Sequence, residues 1–364
     1  MKCNLNCYYC YEPRSNDTVH PSRIPDIEEW IRLRLQTRKH RCLHVDWYGG
    51  EPMLNLQFLE AASEAIQRIC YGEGVQYSAS IISNGTVWPD NPGEFVKRNR
   101  IREVQISFDG LRENHVQRRR LRRNHELGGG ANAFDCAVRL VDQLLDFTRV
   151  DIRLNLDCHN KRDLMPFIDF ARNRGWFTRK FPGVLQVARL TSYSERSAPM
   201  RFSELSISEY EELRDRLRDR KFSDVPIEES EVPDHFPFPR TFVCAALARD
   251  SVVFGADCHL YRCGLQVGFR DRAVGYLDNS GWTPHFTDSH WWDTFDPTSI
   301  PRCASCSFLP ICFGGCPLKH LRNDTSGIDD QCKYWRRNLP RLITSRFGLM
   351  PPNDFVYTES DQFR

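Results

Sequence analysis

The chain begins with three thiols at C-x3-C-x2-C spacing, in Cys3-Asn4-Leu5-Asn6-Cys7-Tyr8-Tyr9-Cys10. Short loops let three thiolates face one iron–sulfur cube while its fourth iron has no protein ligand, and an open iron is a place where a small molecule can bind and be reduced. The ferredoxin run C-x2-C-x2-C-x3-C has a shorter first spacing and a fourth cysteine, as a closed electron-transfer cluster needs. A zinc site asks for a fourth ligand nearby, and the closest candidate is His20, beyond a Pro/Ser/Asn/Asp loop. A second thiol field runs Cys303-x2-Cys306-x5-Cys312-x3-Cys316, then Cys332, with Cys244, Cys258 and Cys263 upstream. Zinc ribbons pair two C-x2-C knuckles, and only Cys303/Cys306 has that form. Spaced thiols in a segment with few long apolar runs suggest metal clusters that replace part of a hydrophobic core.

Composition narrows the class. At 364 residues and 40% hydrophobic content, the chain can bury a substantial core and is long enough for two domains. A net charge of +2 gives no general footprint for nucleic acid or an anionic membrane. No apolar run approaches the ~20 residues of a membrane helix, and the polar start indicates no secretion, so a cytoplasmic protein is expected. Fifteen cysteines grouped at ligand spacing fit clusters better than a disulfide framework. Cys42, Cys70, Cys136 and Cys158 fall outside all patterns and read as ordinary buried thiols.

Between residues 25 and 220, short β-branched runs alternate with longer amphipathic ones, the signal of β–α units on a parallel sheet. Strands are expected over 43–47, 77–82, 102–108, 150–156 and 185–190, and helices over 25–37, 56–70, 133–147, 164–173 and 208–220. The expected fold class is α/β, a partial barrel of about six units. That count includes a first strand, although only Met1 and Lys2 stand before Cys3. The strands end in polar turns: Gly49-Gly50-Glu51-Pro52, Ser83-Asn84-Gly85, Asp109-Gly110, and Asn155 with Asp157. Such residues make turns anywhere, but in a β/α barrel these edges assemble the active site. Pro226, Pro233, Pro237 and Pro239 block regular helix, which places a linker over 226–240 between a first domain, 1–225, and a second, 241–340, with a tail over 341–364.

The first loop, with Tyr9 just before its third cysteine, resembles the signature of the radical S-adenosylmethionine (SAM) enzymes. The resemblance implies a [4Fe–4S] cluster on Cys3, Cys7 and Cys10 whose open iron is chelated by SAM. One electron then gives methionine and a 5′-deoxyadenosyl radical that takes a hydrogen atom from the substrate. Gly49, Gly50 and Glu51 resemble the motif that holds the SAM amino group, and Ser83, Asn84, Ser107 and Asp109 resemble residues facing its ribose and the substrate. Asn155 leaves the next strand on the same side. His115 and Arg119 follow at the offsets of peptide-modifying members, where the arginine approaches the SAM carboxylate. The run Arg118–Arg123 suggests binding of an acidic peptide segment, or, Arg119 excepted, a solvated loop. Gly128-Gly129-Gly130 reads as a flexible connector.

The second thiol field resembles the SPASM extension of that family, which implies two auxiliary [4Fe–4S] clusters. Cys303, Cys306, Cys312 and Cys332 would ligate the distal one. Cys244, Cys263 and Cys316 would ligate the proximal one, with Cys258, standing where the family commonly has glycine, as its fourth ligand. Sulfatase-maturing members carry an acid after the Cys263 position as a proton acceptor, and here it is Gly264, which cannot take a proton. The resemblance therefore implies a maturase that cross-links side chains of a ribosomally made precursor peptide. The alternatives are oxidation of Cys or Ser to formylglycine in a protein, and a non-catalytic iron–sulfur or zinc interaction protein. Implied partners are the precursor peptide, an electron donor such as flavodoxin or ferredoxin, and a separate leader-recognition protein, since no winged-helix leader-binding domain is evident.

Overall fold

The computed structural model describes residues 1–13, 15–37, 40–123, 125–127, 130–217, 220–228, 244–278, 281–284 and 291–347. Pro25 lies in the first turn of α1 (Ile24–Thr37), where a missing N–H costs nothing, and Ile27, Trp30 and Ile31 form its buried face. Strand β1 (Cys42–Trp47), α2 (Leu56–Gly72) and β2 (Gln76–Ser83) follow as the periodicities predict. Between β2 and β3 (Ile101–Phe108) lies α3 (Pro92–Arg98), capped by the Asn91 side chain on the Glu94 N–H. A fourth helix, α4 (Arg112–Arg118), leaves β3 directly. Then come α5 (Ala133–Leu144), β4 (Arg149–Leu156), α6 (Leu164–Asn173), β5 (Val184–Arg189) and α7 (Ile207–Leu217).

The sheet is parallel in the order β1-β2-β3-β4-β5-β6, the sixth strand being Ile227–Glu228. That strand lies at the start of the stretch expected as a linker from residue 226. Pro226 needs no donor of its own here, because its carbonyl accepts from the Leu185 N–H at 2.7 Å and opens a short edge strand. The remaining prolines of that stretch, Pro233, Pro237 and Pro239, lie outside the described residues.

Alternation along β3 builds a two-faced sheet. Val104, Ile106 and Phe108 are fully buried, whereas Glu103, Gln105 and Ser107 between them are part-exposed on the opposite, concave face. Phe108 packs within 6 Å of Phe134, Phe167 and Trp176, at centroid distances of 5.9, 5.2 and 5.9 Å. The helices thus cover one face of an open, partial β/α barrel and leave the other polar. Cys42 stands exposed at the start of edge strand β1, so it is not the buried thiol expected; Cys70 is buried, and Cys136 and Cys158 are half-buried.

The C-terminal region has its own four-stranded antiparallel sheet, β10-β9-β8-β7: β7 (Val253–Phe254), β8 (His259–Tyr261), β9 (Gly275–Asp278) and β10 (Gly281–Pro284). It packs on α1 and α2 through Ala246, Leu260, Val274, Leu277 and Trp292, with Phe254 edge-on to Trp30 at 5.1 Å. Trp292 is core, and Trp291 meets it edge-on. Short helices at Pro301–Ala304, Leu309–Cys312 and Pro317–Leu321 lead into a long one, Thr325–Phe347. That helix runs through Pro340, so no tail begins at residue 341: a proline removes one ladder bond, and the helix continues. Gly128 and Gly129 and everything after Phe347 lie outside the described residues.

Candidate functional site

Four strand ends meet the cluster loop at one edge of the sheet. After β1, Gly49 and Gly50 take φ of +94° and +47°. A Cβ on Gly50 would stand 2.1 Å from the Lys2 carbonyl oxygen, so only glycine lets this turn lie against the chain entering the cysteine loop. The Glu51 N–H donates to that same carbonyl at 2.9 Å, and the Gly50 N–H donates to Glu12 Oε2 at 2.6 Å. Buried Glu51 then accepts from Ser83 Oγ at 2.8 Å, from the Asn84 N–H at 2.7 Å and from the Met53 N–H at 3.2 Å. Burial outweighs these donors and pushes its carboxyl up to about 7. Asn84 Nδ2 donates to Asn4 Oδ1 at 2.9 Å, joining the end of β2 to the residue after Cys3.

At the ends of β3 and β4 the loop meets a second set. Tyr9 OH donates to Asp109 Oδ1 at 2.7 Å and accepts from Arg119 Nη1 at 2.7 Å, and Asn155 Nδ2 lies 3.3 Å from the same Asp109 oxygen. Arg119 Nε is buried with no hydrogen-bond partner among the described residues, so one donor is left for something else, while Asp109 Oδ2 lies 3.4 Å from Arg118 Nε. Arg118 is buried too: it forks onto Asp157 at 3.1 and 2.9 Å, and its guanidinium lies 5.0 Å over the Tyr8 ring. Burial pushes the Asp157 carboxyl up, but hydrogen bonds from Arg118 and Tyr8 outweigh it and hold the group below the usual range. His115 is wholly buried against Phe108 and Phe134, held neutral by burial and by both arginines.

The structure therefore gathers Tyr9, Gly49, Gly50, Glu51, Ser83, Asn84, Asp109, Arg119 and Asn155. Ser107 faces the concave side of β3, outside both networks. Arg118 and Tyr8 join the site beyond the set expected, and both meet Asp157, which leaves β4 on the side expected. A run of arginines reads as a solvated loop, and the signal that distinguishes Arg118 is the apolar face of α4, which turns His115 and Arg118 inward together.

Burial pushes the thiols of Cys3 and Cys7 up to about 11 and about 12, and raises Cys10; Cys10 also raises Cys3, Cys3 and Cys10 raise Cys7, and Arg119 opposes all three shifts. In the C-terminal region burial, with Cys316 and Cys244 beside it, pushes the Cys263 thiol up to about 11, and burial, with Cys332, Cys303 and Cys306 beside it, pushes Cys312 up to about 11. Cys258 lies in the turn before β8, at φ +63°. Among the described residues no three His, Cys, Asp or Glu are drawn to the spacing of a single metal ion. A cube takes its thiolates on separate irons. Gly264, next to Cys263, packs under Tyr48: a Cβ there would stand 2.0 Å from the Tyr48 hydroxyl oxygen.

What these groups can do follows from their types. Three clustered thiols can hold three irons of a cube, Glu51 can accept from an ammonium, and the Arg119 guanidinium can donate to a carboxylate. Residues 1–171 match the radical SAM superfamily. Over 329 residues the chain is 25% identical to the serine-type anaerobic sulfatase-maturating enzyme of Klebsiella pneumoniae, covering 88% of this chain and 80% of that protein. The fold superposes on anSMEcpe with bound AdoMet and Cp18Cys peptide at a TM-score of 0.64 and 18% identity, over 96% of this chain and 97% of the other. Streptococcus suis SuiB bound to precursor peptide SuiA matches at a TM-score of 0.57 and 16% identity, over 87% and 70%. No described helix is long and apolar enough to cross a membrane. The three-cysteine loop seated against polar strand ends thus lies within a radical SAM domain that spans residues 1–171.

Proposed function

We propose that the protein modifies a ribosomally made precursor peptide, joining two of its side chains. The residues present fit the cofactors this needs: three thiols on one loop, a buried carboxylate, and a guanidinium donor left unpartnered beside them. Bound SAM, reduced through a [4Fe–4S] cluster, would supply a 5′-deoxyadenosyl radical that removes a hydrogen atom from the peptide. Cys3, Cys7 and Cys10 would hold that cluster. Glu51, aligned by Ser83 and Asn84, would accept from the SAM ammonium, with Gly49 and Gly50 letting the backbone come close. Arg119 would turn its free edge to the SAM carboxylate, oriented by Tyr9 and Asp109, and Asn155 would brace that pair. Ser107 would meet substrate from the concave face.

Cys303, Cys306, Cys312 and Cys332 would hold a distal auxiliary cluster, and Cys244, Cys263 and Cys316 a proximal one. Cys258 would complete the latter as its fourth ligand. These clusters would take the electron left over when a carbon radical closes a bond, and an acidic redox protein such as flavodoxin or ferredoxin would supply the first one. The observation that carries cross-linking over Cys or Ser oxidation is the pair Gly264 and Tyr48. The position after Cys263 has no room for an acid while the Tyr48 hydroxyl fills it, so the proton acceptor that formylglycine formation uses there is missing.

The test is to incubate the reduced, cluster-loaded enzyme with SAM and the small peptide encoded beside its gene. A product lighter by two hydrogens, with its sequence otherwise intact, is expected; oxidation confined to one Cys or Ser would support the sulfatase-maturase reaction instead.

A further inference from the structure

Past Arg119 the chain does not leave the site. Leu121 pairs with Leu5 in an antiparallel bridge, the Asn6 N–H donates to the Arg120 carbonyl at 2.7 Å, and the Arg122 N–H donates to the Asn4 carbonyl at 2.9 Å. Segment 120–122 is thus stitched to the stretch between Cys3 and Cys7. Against it lies a cavity of about 620 Å³ lined by Arg120, Leu121, Arg122 and Arg123, together with Asn6 and Asn16. Among the described residues no acidic side chain is in the lining. Arg118 and Arg119 of the same run are tied to Asp157 and Asp109, whereas among the described residues Arg120 reaches only the Gln117 carbonyl, and Arg122 and Arg123 have no carboxylate partner. The nearest acid in the loop opposite, Asp17, is exposed and outside the lining.

Three guanidiniums around one concavity repel each other, and a ligand carrying several carboxylates relieves that repulsion while each planar fork can take one carboxylate edgewise. The concavity is large for a single small anion and too hollow to fit a flat protein face, and it matches several consecutive side chains of an extended peptide. Asn6 and Asn16 add amides that can bond its backbone. We propose that this groove binds a carboxylate-rich segment of the peptide substrate and so holds the peptide beside the cluster loop. This rests on the peptide-modifying function above.

The probe is a fluorescein-labelled Glu-rich peptide, with a Lys-rich peptide of equal length as control, followed by anisotropy on the cluster-loaded protein without SAM. The Glu-rich peptide should bind in preference to the Lys-rich one, and binding should weaken as salt is added. R120Q/R122Q/R123Q, checked for wild-type iron and sulfide loading, should bind about tenfold more weakly, as three partly exposed ion pairs together imply. Arg123→Glu alone should move affinity the same way by a smaller factor. Equal affinity for the two peptides, or undiminished affinity in the triple variant, overturns the proposal. So does a variant that keeps its peptide affinity but accepts electrons more slowly from an acidic flavoprotein, since the groove would then dock the donor. Absence of 5′-deoxyadenosine from wild type incubated with SAM and dithionite would instead count against the enzymatic function, and the anisotropy would be unaffected by it.

Discussion

Glu51 sets how the site responds to pH. Its folded pKa of about 7 lies above the ordinary glutamate value of 4.5, so across that window the folded chain holds a proton that the unfolded chain has lost. The ligand-free fold therefore loses stability as pH rises from about 4.5 to about 7, by on the order of 3 kcal/mol. A ligand ammonium favours the carboxylate, so SAM affinity should rise over the same range with release of a proton. Calorimetry in two buffers of different ionisation enthalpy reads that proton directly. Glu51→Gln should flatten the profile and weaken binding about tenfold, since a charge-assisted hydrogen bond becomes a neutral one. Arg118 makes a different prediction. Arg118→Met leaves Asp157 without its buried cation and takes from Asp109 one of two, Arg119 remaining, and should cost about 3–5 kcal/mol in urea unfolding. A loss below about 1 kcal/mol would mean that water reaches the pair.

The strands carry the site because they set where their polar ends fall, and that much was legible. Strict alternation on β3 and the β-branched runs of β2, β4 and β5 fix period and face, and Gly49-Gly50, Ser83-Asn84 and Asp109 mark the exits. Two helices and a strand were hidden for local reasons. Pro92-Gly93 at the start of α3 reads as a breaker, α4 is barely two turns long, and β6 has only two residues after a proline. The Gly264–Tyr48 contact was hidden because it joins turns over two hundred residues apart. It predicts that Gly264→Asp will lose auxiliary iron and melt lower. Tyr48→Phe should restore part of both, because the nearest atom then becomes the ring carbon at 3.0 Å instead of the oxygen at 2.0 Å. Failure of the double variant to recover anything would show that the hydroxyl is not what fills the position.

Across the whole molecule, ten thiols fall into three groups, one on the barrel loop and two in a C-terminal region whose own cores are small, such as Phe308 and Trp335 with Cys306 and Cys312 around them. Clusters there would supply folding energy that apolar burial does not. Replacing Cys303, Cys306, Cys312 and Cys332 by alanine should remove about four irons per chain and lower the melting temperature. Replacing Cys3, Cys7 and Cys10 should also remove about four irons, and with them SAM cleavage. The central claim is that SAM is cleaved beside Glu51 and Arg119 to take hydrogen from a peptide. Its most direct test uses the neighbouring peptide deuterated at its side-chain carbons. The account predicts one deuterium in the 5′-deoxyadenosine formed; 5′-deoxyadenosine free of deuterium, alongside a modified peptide, would contradict it.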